Sequence, residues 1–137
     1  MLARARLLPL AETVLAVLLA CIVEVAVRSV PLPVLATRLG LRLATGEVDV
    51  SLPEVLPRWT AVRLRAVARV MRHWPAGPKG KCLRAALVGG QRLRRLKPEL
   101  VLGVRPGPDG VAAHAWLAVG GRSLDPLAGD YGQLLGR

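Results

Sequence analysis

The apolar residues of this chain change their period near Lys97-Pro98, and that change limits the folds open to it. Before this point apolar side chains recur at helical spacing. After it, short alternating runs are cut by Pro, Gly and Asp-Gly turn signals. Residues 100–104, 111–119 and 122–125 read as three strands. The first two are joined by a loop over residues 105–110, and the last two by Gly120-Gly121. Helices followed by an antiparallel meander is an α+β pattern. At 137 residues the chain makes one compact domain. Residues 1–57 are expected as a helical N-terminal region and residues 58–137 as the core.

Residues 7–27 are strongly apolar, interrupted by Glu12, Thr13 and Glu24. A basic start and Leu18-Leu19-Ala20-Cys21 imitate a lipoprotein signal, but Glu12 falls inside the apolar stretch. A membrane span needs about 20 apolar residues, and the run between the two glutamates is shorter. The favoured reading is a long, largely buried helix, with peripheral membrane contact as the alternative and Cys21 as a buried residue without chemistry. Pro31 and Pro33 end it. A short second helix is expected over residues 34–43, and residues 45–57, acidic and Pro-containing, as a loop.

Residues 58–74 read as an amphipathic helix. Trp59, Val62, Ala66, Val70 and Trp74 share one face, and Arg58, Arg65, Arg69 and Arg72 the other. His73, at its end, reads as structural. Residues 75–80 are a sharp break, and residues 82–96 the next helix. Gly89-Gly90 in its middle weakens it or lets another backbone approach. With three Trp, one Tyr and no Phe, Leu, Val and Ala have to build the core.

The net charge is +11. Arg clusters suit carboxylate or phosphate partners, and a GC-rich genome would enrich Arg with Ala, Gly and Pro; both readings stand. No zinc-finger spacing, aromatic RNA-binding motif or phosphate loop is present, so nucleic acid is not expected as a partner. Cys21, Cys82, His73 and His114 match no paired-ligand spacing. No metal and no cofactor is expected.

Cys82 opens a helix. The thiolate is the reactive form of cysteine. A helix N-terminus favours it through free N–H groups and the positive dipole end, and Lys81 and Arg84 add charge. A backbone N–H there can also hold an oxyanion. A small buried residue in an Ala- and Leu-rich helix is the plainer alternative. His114 lies mid-strand, where alternation puts Ala112, His114 and Trp116 on one face. If Gly120-Gly121 forms a two-residue hairpin, Val119 pairs with Arg122 and Asp125 comes opposite Trp116. His114 is then the diagonal neighbour of Asp125. Cys82 as nucleophile, His114 as base and Asp125 as orienting acid make a triad, with Asp130 as the fallback carboxylate. Trp116 and Arg84 are the expected substrate contacts.

Cys82-Leu83-Arg84, Leu102-Gly103-Val104, His114-Ala115-Trp116 and Leu124-Asp125-Pro126, in that order, resemble the transglutaminase-like superfamily of papain-type folds. Within it they are most similar to the lasso peptide biosynthesis B2 family, the stand-alone leader peptidases. The motif match covers roughly residues 80–131. The resemblance implies a cysteine endopeptidase that cuts the leader from a ribosomally made lasso peptide precursor through an acyl-enzyme on Cys82. It also implies a bacterial cytoplasmic setting, a PqqD-like leader-recognition protein acting in trans, and an ATP-dependent lasso cyclase downstream. A transglutaminase-like acyltransferase with the same triad, and a non-enzymatic basic adaptor, are the alternatives.

Overall fold

The computed structural model describes residues 2–53, 55–75 and 80–134. Among these residues four helices, α1 (Leu2–Ser29), α2 (Leu32–Arg38), α3 (Arg58–Arg72) and α4 (Lys81–Arg92), pack on a five-stranded sheet. The strands are β1 (Arg42–Leu43), β2 (Glu99–Gly107), β3 (Gly110–Val119), β4 (Arg122–Ser123) and β5 (Gly132–Leu134). The α+β class holds. The sheet is mixed, however, and not the expected antiparallel meander. β1 runs parallel to β2, while β3 and β5 pair with β2 antiparallel and β4 with β3 antiparallel. Parallel pairing of β1 with β2 joins segments more than 50 residues apart, so no turn signal announces it.

The turns follow their chemistry. Gly120 and Gly121 both hold positive φ, 60° and 77°, as a two-residue hairpin requires. Val119 pairs with Arg122 and Ala118 with Ser123, the register expected from the turn. β2 and β3 run further than expected and close at Gly107 opposite Gly110, shrinking the loop to Pro108-Asp109. The second helix is shorter than read. It ends at Arg38, and the chain then turns into β1. The acidic loop is tied down: Asp49 bridges to Arg122, and the Gln133 side chain bonds Val48 and Gly46. Of the break at residues 75–80, residues 76–79 lie outside the described ones, as does Glu54.

The sheet carries a separate apolar cluster on each face. Leu100, Ala115 and Leu117 pack under the helices with Ala16, Ala20, Val23, Val67, Leu87 and Leu93. Val101, Trp116 and Ala118 pack on the other side with Ala44 and Ala128. The small residues of α4 are there for approach. A Cβ on Gly90 would drive into the Leu41 side chain, itself 1% exposed. One on Gly89 would meet Leu117 at 3.3 Å. Side chains, rather than a second backbone, occupy that space.

The first helix corrects the sequence reading. It is unbroken from Leu2 to Ser29, but it is not largely buried. Ala16, Ala20 and Val23 face the core, while Leu7, Val14, Leu18, Ile22 and Val25 are 50–70% exposed. Cys21 is exposed as well, not buried. The physical reason lies in the two glutamates. Glu12 accepts from Arg63 and Arg92, and Glu24 accepts from Trp74 and Arg84. Pairing these carboxylates turns their side of the helix toward α3 and α4 and the opposite apolar side outward.

Candidate active site

His114 and Asp125 are joined: imidazole Nε2 lies 2.5 Å from carboxylate Oδ2. Three local features bring Asp125 there. The hairpin register runs one step beyond β4, since Leu124 N–H donates to the Leu117 carbonyl at 2.8 Å. Ser123, fully buried, exchanges two hydrogen bonds with the Asp125 backbone, each 3.0 Å. The other carboxylate oxygen, Oδ1, accepts the Leu127 N–H at 2.8 Å. This Asx-type turn around Pro126 fixes the carboxylate, so its second oxygen can only meet the ring. With Nε2–H donated to Asp125, Nδ1 keeps its lone pair and can take a proton.

The imidazole is also held by stacking. Trp116, two residues along β3, lies 5.6 Å from it between ring centroids, and Tyr131 lies 4.8 Å away at 27°. Arg105 in turn sits over the Tyr131 ring, 4.8 Å from its centroid. Gly103 pairs with His114 across β2 and β3. A Cβ at Gly103 would come within 2.6 Å of the Trp116 ring and 2.9 Å of Tyr131 Cβ. The Leu-Gly-Val strand therefore carries glycine because two aromatic side chains lie over it. Trp116 Nε1 is buried and finds no acceptor among the described residues.

Cys82 sits in the first turn of α4, half-buried and unoxidised. Gly80 is the N-cap, and among the described residues no side chain claims the first-turn N–H groups. Cys82 and His114 enter the site from different quarters, the thiol from the helix layer and the ring from the sheet. Both line one groove of about 370 Å³, with Trp116 and Asp125 also in its wall. Among the described residues no hydrogen bond involves the Cys82 sulfur. Catalytic hydrogen bonds often tighten only when substrate is bound.

Arg84 does not line this groove. Its guanidinium is committed to Glu24, through Nε to Oε2 and Nη2 to Oε1, and to the Gly80 carbonyl. The charge that Arg84 was expected to lend Cys82 is therefore neutralised by Glu24, which leaves that of Lys81. The Arg84 guanidinium beside Glu24, helped by the Trp74 N–H, holds that carboxyl down at about 2. The carboxylate in turn raises Arg84. The pair clamps the first turn of the cysteine helix to α1. Asp130 is exposed in the short 3-10 turn Ala128–Asp130 and takes no part. His73 ends α3 and lines a separate cleft with Thr13 and Val17.

Tyr131, Ser123 and Glu24 were not legible as site residues. Tyr131 is the only tyrosine of the chain, a clue of composition but not of position. Glu24 stood out only as a charge inside an apolar helix.

The arrangement offers a thiol at a helix N-terminus and an oriented imidazole–carboxylate pair in one groove, a set suited to acyl transfer. No curated protein and no solved structure matches the chain. The family model described as "Transglutaminase-like superfamily" matches residues 26–134, spanning the end of α1, the cysteine helix and all five strands. With most of its length covered by that model, the chain belongs to the transglutaminase-like superfamily, which includes cysteine peptidases and acyltransferases.

Proposed function

We propose that this protein is a cysteine endopeptidase that releases the leader from a lasso peptide precursor. The observation that carries the chemistry is the His114–Asp125 pair in the groove that Cys82 also lines. His114 Nδ1 takes the Cys82 proton, and the sulfur attacks the scissile carbonyl carbon. The first-turn N–H groups of α4 stabilise the oxyanion. The C–N bond breaks as the imidazolium gives its proton to the leaving amine. Water then attacks the thioester, its proton passing to His114, and the C–S bond breaks to free the carboxylate and the thiol. Asp125 holds the tautomer and stabilises the imidazolium throughout. Trp116 forms part of the groove wall that an extended peptide would follow.

The choice of substrate rests on the order of Cys-Leu-Arg, Leu-Gly-Val and His-Ala-Trp in a small Arg-rich chain. The partners that go with it are the PqqD-like leader-recognition protein in trans and the lasso cyclase, in a bacterial cytoplasm. The test mixes the protein with precursor peptide and recognition protein and follows products by mass spectrometry. A cut with one added water is expected, absent for Cys82→Ala. A product carrying an added amine would make the protein an acyltransferase. Unchanged cleavage by Cys82→Ala would remove the thiol from the mechanism.

A further inference from the structure

We infer that α1 is an interfacial helix that seats this protein on an anionic lipid surface. Between Leu7 and Val25 the outward side of α1 carries nine large aliphatic side chains, each at least 40% exposed. Leu7, Val14, Leu18 and Val25 run down its centre. At 1.5 Å per residue this face is roughly 27 Å long. Apart from the weakly polar Cys21 thiol, no charged or hydrogen-bonding side chain interrupts it, because Glu12 and Glu24 turn inward onto arginines. Apolar patches this continuous are uncommon on free protein surfaces.

The rim decides what covers it. Arg4 and Arg6 are exposed at one end of the helix, and Arg28 is exposed at the other, where it shares Glu24 with Arg84. Along one side lies α3, where Arg65, Arg69 and Arg72 share an exposed face and the Arg69 guanidinium reaches the Thr13 hydroxyl at 3.2 Å. The only carboxylates of α1, α2 and α3 are the two inward glutamates. An apolar strip edged by guanidinium groups matches acyl chains beneath phosphate headgroups. A second copy of the chain would bring arginine rim against arginine rim. A protein interface also ordinarily supplies about one hydrogen bond per 100–200 Å², and this strip offers only the weak thiol of Cys21.

Length and composition would let Arg6–Ser29 cross a bilayer. Its inner side, however, packs on α3 and α4 through ion pairs that a span would break. Lying in the interface keeps the fold intact and buries only the outer face.

The test is co-sedimentation of the full chain with vesicles of phosphatidylcholine alone and of phosphatidylcholine mixed with phosphatidylglycerol. Binding is expected to the anionic vesicles, to weaken with salt and to be poorer on neutral ones. Leu18→Asp with Ile22→Asp should weaken it more than about tenfold. Arg65→Glu with Arg72→Glu should weaken it by about fivefold or more per arginine. All four positions are exposed, and circular dichroism melting checks that each variant folds. In a Cys82→Ala background an environment-sensitive dye on Cys21 should shift to the blue on anionic vesicles alone. Binding to neither vesicle, or binding that survives Leu18→Asp with Ile22→Asp, would overturn the inference. So would a dimer in light scattering that the same double variant dissolves, or capture of the recognition protein that it abolishes. Cys82→Ala should bind vesicles like the unaltered protein, so failure of the peptidase assay leaves this result interpretable.

Discussion

Gly103→Ala tests the packing that holds the imidazole. The added Cβ would lie 2.6 and 2.7 Å from two ring carbons of Trp116 and 2.9 Å from Tyr131 Cβ, against an ordinary carbon contact of about 3.5–4.0 Å. Neither neighbour is a flexible tip. Trp116 is 4% exposed among Val101 and Ala118, both 0% exposed, and the contact on Tyr131 is at the root of its side chain. Overpacking of this kind costs about 1–3 kcal/mol. Relief of the glycine backbone entropy in a strand returns about 0.5–1 kcal/mol. The net expectation is a loss of about 1–2 kcal/mol, or about 3–6 °C in Tm for a chain of this size. Equilibrium urea unfolding followed by tryptophan fluorescence measures it. Because both displaced rings stack on His114, turnover should fall with stability. Gly129→Ala is the control, since a Cβ there meets nothing within 4 Å. A Gly103→Ala protein as stable as its parent and equally active would refute the packing account of the Leu-Gly-Val strand.

Two further outcomes follow from the ion pair and from the His–Asp bond. Glu24 is held at about 2, below its ordinary value of 4.5. Its contribution to stability is therefore complete above the higher value and lost as pH falls toward the lower one. Glu24→Gln should be less stable at neutral pH and show a flatter decline of urea midpoint across that acidic window. Asp125→Asn keeps an oxygen for the Leu127 N–H but presents an amide N–H to His114 Nε2. That moves the ring proton to Nδ1, the wrong tautomer for a base, and should lower turnover about 10²–10⁴-fold with little change in melting temperature.

The local devices were open to reading. Gly120-Gly121 specifies a tight hairpin, the hairpin specifies register, and register carries Asp125 to the diagonal position beside His114. Each step spans only a few residues and depends on backbone sterics and the two-residue period of a strand. Cys82 at the start of a helix followed likewise from the glycine and proline break before it. Tyr131 against His114, Gly103 beneath Trp116 and Leu41 against Gly90 were not open in this way. Each pairs residues far apart in the chain, and a side chain's contact partner leaves no periodic trace.

The succession of helices before the β2–β3–β4 run and the β3–β4 register were thus determined by the sequence alone, because they arise from short-range sterics and hydrophobic period. Only the tertiary structure decided that β1 enters the sheet parallel to β2 and that Arg84 spends its charge on Glu24. It also decided which side of α1 faces outward. A helix with Leu, Val and Ala on every side has no polar face to mark its outside, so its orientation was set by two carboxylates finding arginines on α3 and α4.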